Sequence, residues 1–187
     1  MPMAGVSEVG TSMIVDKSPI GFVAQSCIRG TMGNPCMTCW KCFRKATLGL
    51  ALGLNVDSDV NLSNLLSTEV RSKLLAYPIS HENVVAFSMH RYPREGIDSG
   101  DSEFLDMLMN RVSQKSNLEM LTRWYKPSEI LVHSPWREAF MLKMFDFLDV
   151  MSSDEISEIE SWSMANFLSD PSTVSAHDRL EEMLSES

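Results

Sequence analysis

No part of this 187-residue chain is both long and apolar enough to span a bilayer. The longest apolar run, residues 46–56, is about eleven residues where about 20 are needed. Residues 1–26 contain no uninterrupted apolar core of the secretory type, which points to the reducing cytosol and away from a disulfide framework. Nucleotide-gripping loops are missing too: there is neither a G-x-x-x-x-G-K-[ST] run nor a G-x-G-x-x-G turn. Histidine occurs four times, at His81, His90, His133 and His177, never in the i, i+4 arrangement of a zinc protease, so surface or helix-end roles are expected. Glu155, Glu158 and Glu160 fall in the first turns of an expected helix, where carboxylates complement the helix dipole rather than perform acid–base chemistry. These absences leave no residue to which catalysis can be assigned in the chain alone.

Cysteine is scarce, and its scarcity is informative. The four cysteines, Cys27, Cys36, Cys39 and Cys42, share one sixteen-residue window with the spacing C-x8-C-x2-C-x2-C. Thiols this close must share a metal or pair with one another, and a C-x2-C step folds two sulfurs back onto one point, which suits a tetrahedral ion. Zinc is the favoured ion. An iron–sulfur centre has the same ligands and a similar C-x2-C-x2-C run, although the cysteine-proline ending of bacterial ferredoxins is missing here. Gly30 and Gly33 would let backbone amides approach the sulfurs. Trp40, between two ligands, either packs beneath the knuckle or stacks on a nucleic-acid base, and its large apolar area favours packing.

The net charge of −9 is unevenly spread. Residues 1–50 set Lys17, Arg29, Lys41, Arg44 and Lys45 against Glu8 and Asp16, a balance of +3, whereas residues 151–187 set nine acids against Arg179, a balance of −8. Arg29, Lys41, Arg44 and Lys45 are therefore candidates to receive an anionic substrate, or simply to offset the charge of four thiolates. A knuckle that binds nucleic acid through these bases is an alternative, against which the overall acidity counts. A third is a structural or regulatory subunit whose acidic helical tail docks a basic partner. Fourteen methionines sit mostly at core-compatible spacings.

Periodicity predicts a mostly α-helical α+β protein. Residues 12–15 and 20–23 suggest two short strands in a β-prone N-terminal segment, 1–26. The four-cysteine knuckle occupies 27–45, and a helical domain with an acidic C-terminal tail occupies 46–187. Helices are expected over 43–55, over 61–76, after a Ser80 cap, after an Asp101 cap, and after Ser134-Pro135, with that last helix at the centre of the core. A capping box at Ser152 to Glu155 opens the next, running to Leu168. Asp170-Pro171 breaks the chain before a short acidic helix from about Val174.

The cysteine spacing, with glycines in the eight-residue gap and Phe43-Arg44-Lys45 after the last ligand, resembles the C-terminal zinc-binding segment of 7-cyano-7-deazaguanine synthases and related PP-loop ATP pyrophosphatases. The resemblance covers residues 12–55. It implies an ATP-dependent carbon–nitrogen ligase in which zinc organises the chain beside the substrate pocket. The family's Ser-Gly-Gly-x-Asp-Ser phosphate loop is absent; Ser99-Gly100-Asp101-Ser102 lacks the second glycine and suits a helix-capping linker better. The implied picture is a C-terminal half that meets ATP only through a PP-loop partner, or through a further domain, in the cytoplasm. A homo-oligomer is the other expected assembly.

Overall fold

Ser7 sets the first helix. Its side chain accepts from the Gly10 amide, with Glu8 in the first turn, and this cap carries residues 12–15 into a helix. A computed structural model describes residues 5–19, 21–54, 60, 62–95, 97–112 and 117–186, apart from the side chains of Phe22 and Glu186. In chain order the helices are α1 (Glu8–Asp16), α2 (Trp40–Ala51), α3 (Leu62–Leu65), α4 (Thr68–Leu74), α5 (Glu82–Arg91), α6 (Ser99–Val112), α7 (Ser134–Phe147), α8 (Ser153–Ser161), α9 (Met164–Leu168) and α10 (Pro171–Glu186). Short 3-10 turns lie at Gly21–Val23, Leu118–Thr122 and Lys126–Leu131. The protein is mostly helical. Among the described residues extended pairing is confined to isolated bridges, and no helix is long and apolar enough to cross a membrane.

The two expected N-terminal strands are therefore corrected. Met13 and Ile14 sit on α1 and pack against Trp124, so a tertiary contact and a good cap override β-branched propensity. Gly21–Val23 is a 3-10 turn, and Ile20 lies outside the described residues.

The chain divides into two compact units that interleave in sequence, one of residues 1–24 and 117–162, the other of 25–116 and 163–187. The first division, between Ala24 and Gln25, falls beside the expected boundary at 26, and no division falls at 45.

The first unit is built around Trp124, which is fully buried with Met144 and Leu148. Its backbone joins two neighbours at once: the Trp124 amide donates to Asp149, its carbonyl accepts from Met151, and Tyr125 donates to Gly5. Gly5 cannot carry a side chain there, because a Cβ would lie 2.0 Å from Ser128 Oγ. The expectation that α7 is central to the core holds for one face of the helix, from which Phe140, Met141, Met144 and Phe147 meet the Trp124 cluster. Met144 is its buried residue, whereas Trp136 is 70% exposed and Leu142 61% exposed. A helix that is apolar around its circumference can turn only one side to a small core.

The capping box of α8 forms as the sequence predicts: Ser152 accepts from the Glu155 amide and Glu155 from the Ser152 amide. This helix ends at Ser161, before α9, rather than running on to Leu168. Glu155 does more than cap. Its buried carboxylate also accepts from Arg123 Nη1 at 2.6 Å and Asn117 Nδ2 at 3.1 Å. Arg123, aided by the Ser152 amide and hydroxyl, holds the carboxyl below its ordinary pKa against the opposing effect of burial. The folded pKa being the lower one, this contribution to stability is present above the unfolded value, about 4.3, and is lost as pH falls through the folded value. Thermal melts of wild type and Glu155→Gln should therefore differ most near neutral pH and converge under acid.

In the second unit, α2 packs on α5, α5 on α6 and α6 on α10. The layers meet through Phe43, Leu48, Val85, Phe87, Leu105, Leu108 and Leu180, none more than 1% exposed. The expected 61–76 helix is two, α3 and α4, separated by a break at which Ser67 caps α4; residue 61 lies outside the described residues. Two further caps differ from expectation. His81, with φ +60°, rather than Ser80 occupies the α5 N-cap position, while Asp98 rather than Asp101 accepts from the first turn of α6. The last helix starts at Pro171, earlier than Val174, because Asp170 accepts from the amides of Ser172 and Thr173.

Candidate metal centre

Two local decisions in the backbone bring the cysteines together. Cys39 is the N-cap of α2 and its sulfur accepts from the Cys42 amide, so the C-x2-C pair spans the first turn of a helix. Cys27 and Cys36 reach them across a pinned loop. Thr31 and Asn34 exchange backbone hydrogen bonds, and Gln25 Nε2 donates to the carbonyls of Cys27 and Thr31 while its Oε1 accepts from the Gly33 amide. Gly33 has φ +76°, and a Cβ on Gly30 would meet the Asn34 carbonyl oxygen at 2.2 Å. Both glycines are thus demanded by the turn.

The four sulfurs lie within 4.8 Å of one another, with Cys36 and Cys42 3.8 Å apart and Cys39 and Cys42 3.5 Å apart. A metal–sulfur bond of about 2.3 Å in a tetrahedron places thiolates about 3.8 Å apart, so the donor set fits one ion. Three of the cysteines are buried and Cys36 is half-buried.

The thiols are not equivalent. The amide of Cys36 donates to Cys27 Sγ at 3.4 Å and, with the amides of Arg29 and Gly30, lowers its pKa. The Thr38 amide, followed by its hydroxyl, brings Cys36 down to about 6. Burial, and the neighbouring Cys39 sulfur, push Cys42 up. A cation would supply the compensation that lets all four ionise together.

The environment is anchored from α4. The Glu69 carboxylate pairs with Arg29 and accepts from the Trp40 amide at 3.2 Å, and the Ser67 hydroxyl donates to the Thr38 carbonyl at 2.5 Å. Of the candidate anion-binding residues, Arg29 is held by Glu69, Arg44 is buried, Lys45 is half-buried and Lys41 is exposed. The α2 N-terminus is also engaged, through Glu69 on the Trp40 amide and Cys39 on the Cys42 amide. Trp40 itself is buried and stacked on Phe43, with ring centroids 5.3 Å apart, as packing beneath the knuckle requires. Of the histidines, His81, His90 and His133 are exposed, while His177 is half-buried and accepts from Arg111.

Sequence reasoning missed Glu69, Ser67 and Gln25. Ser67 had a visible signal, a serine one residue before an acid-bearing first turn. That α4 would then meet the knuckle is a contact between residues 40 apart, which no local pattern reports.

Fold and centre together define a helical protein with one cluster of four cysteines suited to a metal. The chain belongs to the DUF6395 family, a family of unknown function, which it matches over residues 1–163. No curated protein and no solved structure matches it.

Proposed function

We propose that this is a zinc protein in which Cys27, Cys36, Cys39 and Cys42 are the four metal ligands and the metal's role is structural. The observation that carries this reading is the mutual approach of four sulfurs to within 4.8 Å. Four protein ligands fill a tetrahedron, whereas a catalytic zinc keeps one position open for water or substrate. A four-iron cluster, with each thiolate on a different iron, would need the sulfurs more widely spread. The burial of Cys27, Cys39 and Cys42 further supports a closed site. In this reading the metal fixes the loop of residues 27–36 on the start of α2, and the protein works as a metal-stapled module.

The cysteine spacing supports a second, narrower reading, in which the module is the zinc segment of a deazaguanine synthase-like ATP-dependent ligase acting with a PP-loop polypeptide. The nucleic-acid alternative finds less support, since Arg29 and Arg44 are engaged or buried rather than presented to a phosphate.

Elemental analysis and a visible spectrum of protein purified without oxygen test the first reading. One zinc per chain in a colourless sample is the expected result. A broad iron–thiolate band, or no metal at all, would overturn it. For the second reading, ATP cleavage should appear only when a PP-loop polypeptide is added, and silence in its presence would count against it.

A further inference from the structure

We propose that Glu69 is a positioning residue for the metal centre: its carboxylate holds the two halves of the knuckle in register and so sets the affinity for the ion. The inference rests on the zinc reading above and assigns a role to a residue outside the ligand set. Glu69 pairs with Arg29, which lies between the first and second ligands, and accepts from the amide of Trp40, which lies between the third and fourth. One side chain thereby bridges the segment that carries Cys27 and the helix turn that carries Cys39 and Cys42. It does so from α4, an element that supplies no ligand. Val70 and Leu74 on the same helix are fully buried, so the carboxylate is presented from a fixed support.

The physical consequence concerns the metal-free protein. Without a metal only hydrogen bonds hold the exposed loop between Cys27 and Cys36, and an unsupported loop would let the four sulfurs spread apart. Tying Arg29 and the α2 N-terminus to one anion resists that spreading before the metal arrives, which lowers the ordering that binding must impose. Partners of this kind outside the ligand set typically change metal affinity by about 10–100-fold when removed. Ser67, which donates to the Thr38 carbonyl from the same turn, supports the same loop at a third point.

Zinc affinity should be measured by chelator competition on the full chain for wild type, Glu69→Gln and Glu69→Ala, with cobalt(II) as spectroscopic probe. Glu69→Gln can still accept from the Trp40 amide but presents no anion to Arg29, so it should bind more weakly than wild type. Glu69→Ala, which loses both bonds, should be weaker again, at least 10-fold below wild type. The ligand-field bands of the cobalt protein should broaden or shift, a signature that a general loss of stability would not produce. Arg94→Gln, which removes a surface ion pair with Asp106 elsewhere in the same unit, is the control and should leave affinity and spectrum unchanged. Glu69→Ala affinity within twofold of wild type, with an unaltered cobalt spectrum, would overturn the role of Glu69 while leaving the zinc centre standing. A wild-type chain that takes up neither zinc nor cobalt would instead remove the centre itself, and this inference with it.

Discussion

Cys42→Ser should abolish stoichiometric metal binding and release the loop between Cys27 and Cys36, with the helices of the second unit still formed. Cys42 is 4% exposed and sits in the first turn of α2, so its replacement leaves three thiols facing a hydroxyl that is a poor metal ligand. Structural zinc in small modules contributes on the order of 10 kcal/mol to local folding. Few hydrogen bonds replace that contribution when the metal goes. Gln25 and the Thr31–Asn34 pair are exposed to competing water. Helix α2 has other support, because Phe43, Thr47 and Leu48 are buried against the helical body whether or not the ion is present. The expected outcome is rapid proteolytic cleavage within residues 28–35, far-UV helix signal close to wild type, and metal content below about a tenth of an ion per chain. Retained stoichiometric metal would show that three sulfurs suffice and that the site is not the closed one proposed here. Lowering the pH should mimic the substitution in the wild type, since protons compete with the metal for the thiolates.

Much of this centre was legible in the sequence, because ligand spacing is a local property. The cysteine spacing and the glycines between the first two ligands are displayed directly by residues 27–42, whereas the helix expected over 43–55 in fact spans Trp40–Ala51, so that Cys39 and Cys42 lie on its first turn. The helices were legible for the same reason: the Ser152–Glu155 box is a short-range pattern and forms as expected. The strand expected near Met13 failed because β-branched residues report a weak preference, which the Ser7 cap and the Trp124 core outweigh. The partial exposure of α7 has a different cause. Apolarity around a whole helix says that it could be buried, whereas how much of it is buried depends on the neighbours, and those come from segments more than a hundred residues apart. The same non-locality hides the interleaving of the two units and the grip of Glu69 on Arg29 and Trp40.

The largest stability effect away from the cysteines is expected at Arg111, whose side chain is fully buried. Its guanidinium donates to Glu82 through Nη1 at 2.5 Å and Nη2 at 3.1 Å, and through Nε to His177 Nδ1 at 3.3 Å. It also lies 5.0 Å from the centre of the Tyr77 ring. Glu82 in turn accepts from the Ile79 amide, so α5, α6 and α10 are joined through one cation. Burial, followed by the Arg111 charge, lowers the pKa of His177, which keeps its Nδ1 an acceptor at neutral pH. Glu82→Leu should destabilise the second unit by about 3–5 kcal/mol, because it strands a buried guanidinium rather than merely deleting a bond. Arg111→Met should cost a similar amount by leaving Glu82 and His177 without their donor. The double variant Arg111→Met with Glu82→Leu should then recover most of the loss, since a buried ion pair replaced whole by apolar groups is often neutral. What it cannot recover is the unmet acceptor on His177, worth about 1 kcal/mol. Denaturant midpoints of the four proteins measure the cycle. Additive losses in the double variant would mean that Arg111 and Glu82 act separately, and that the bidentate pair is not what joins these helices.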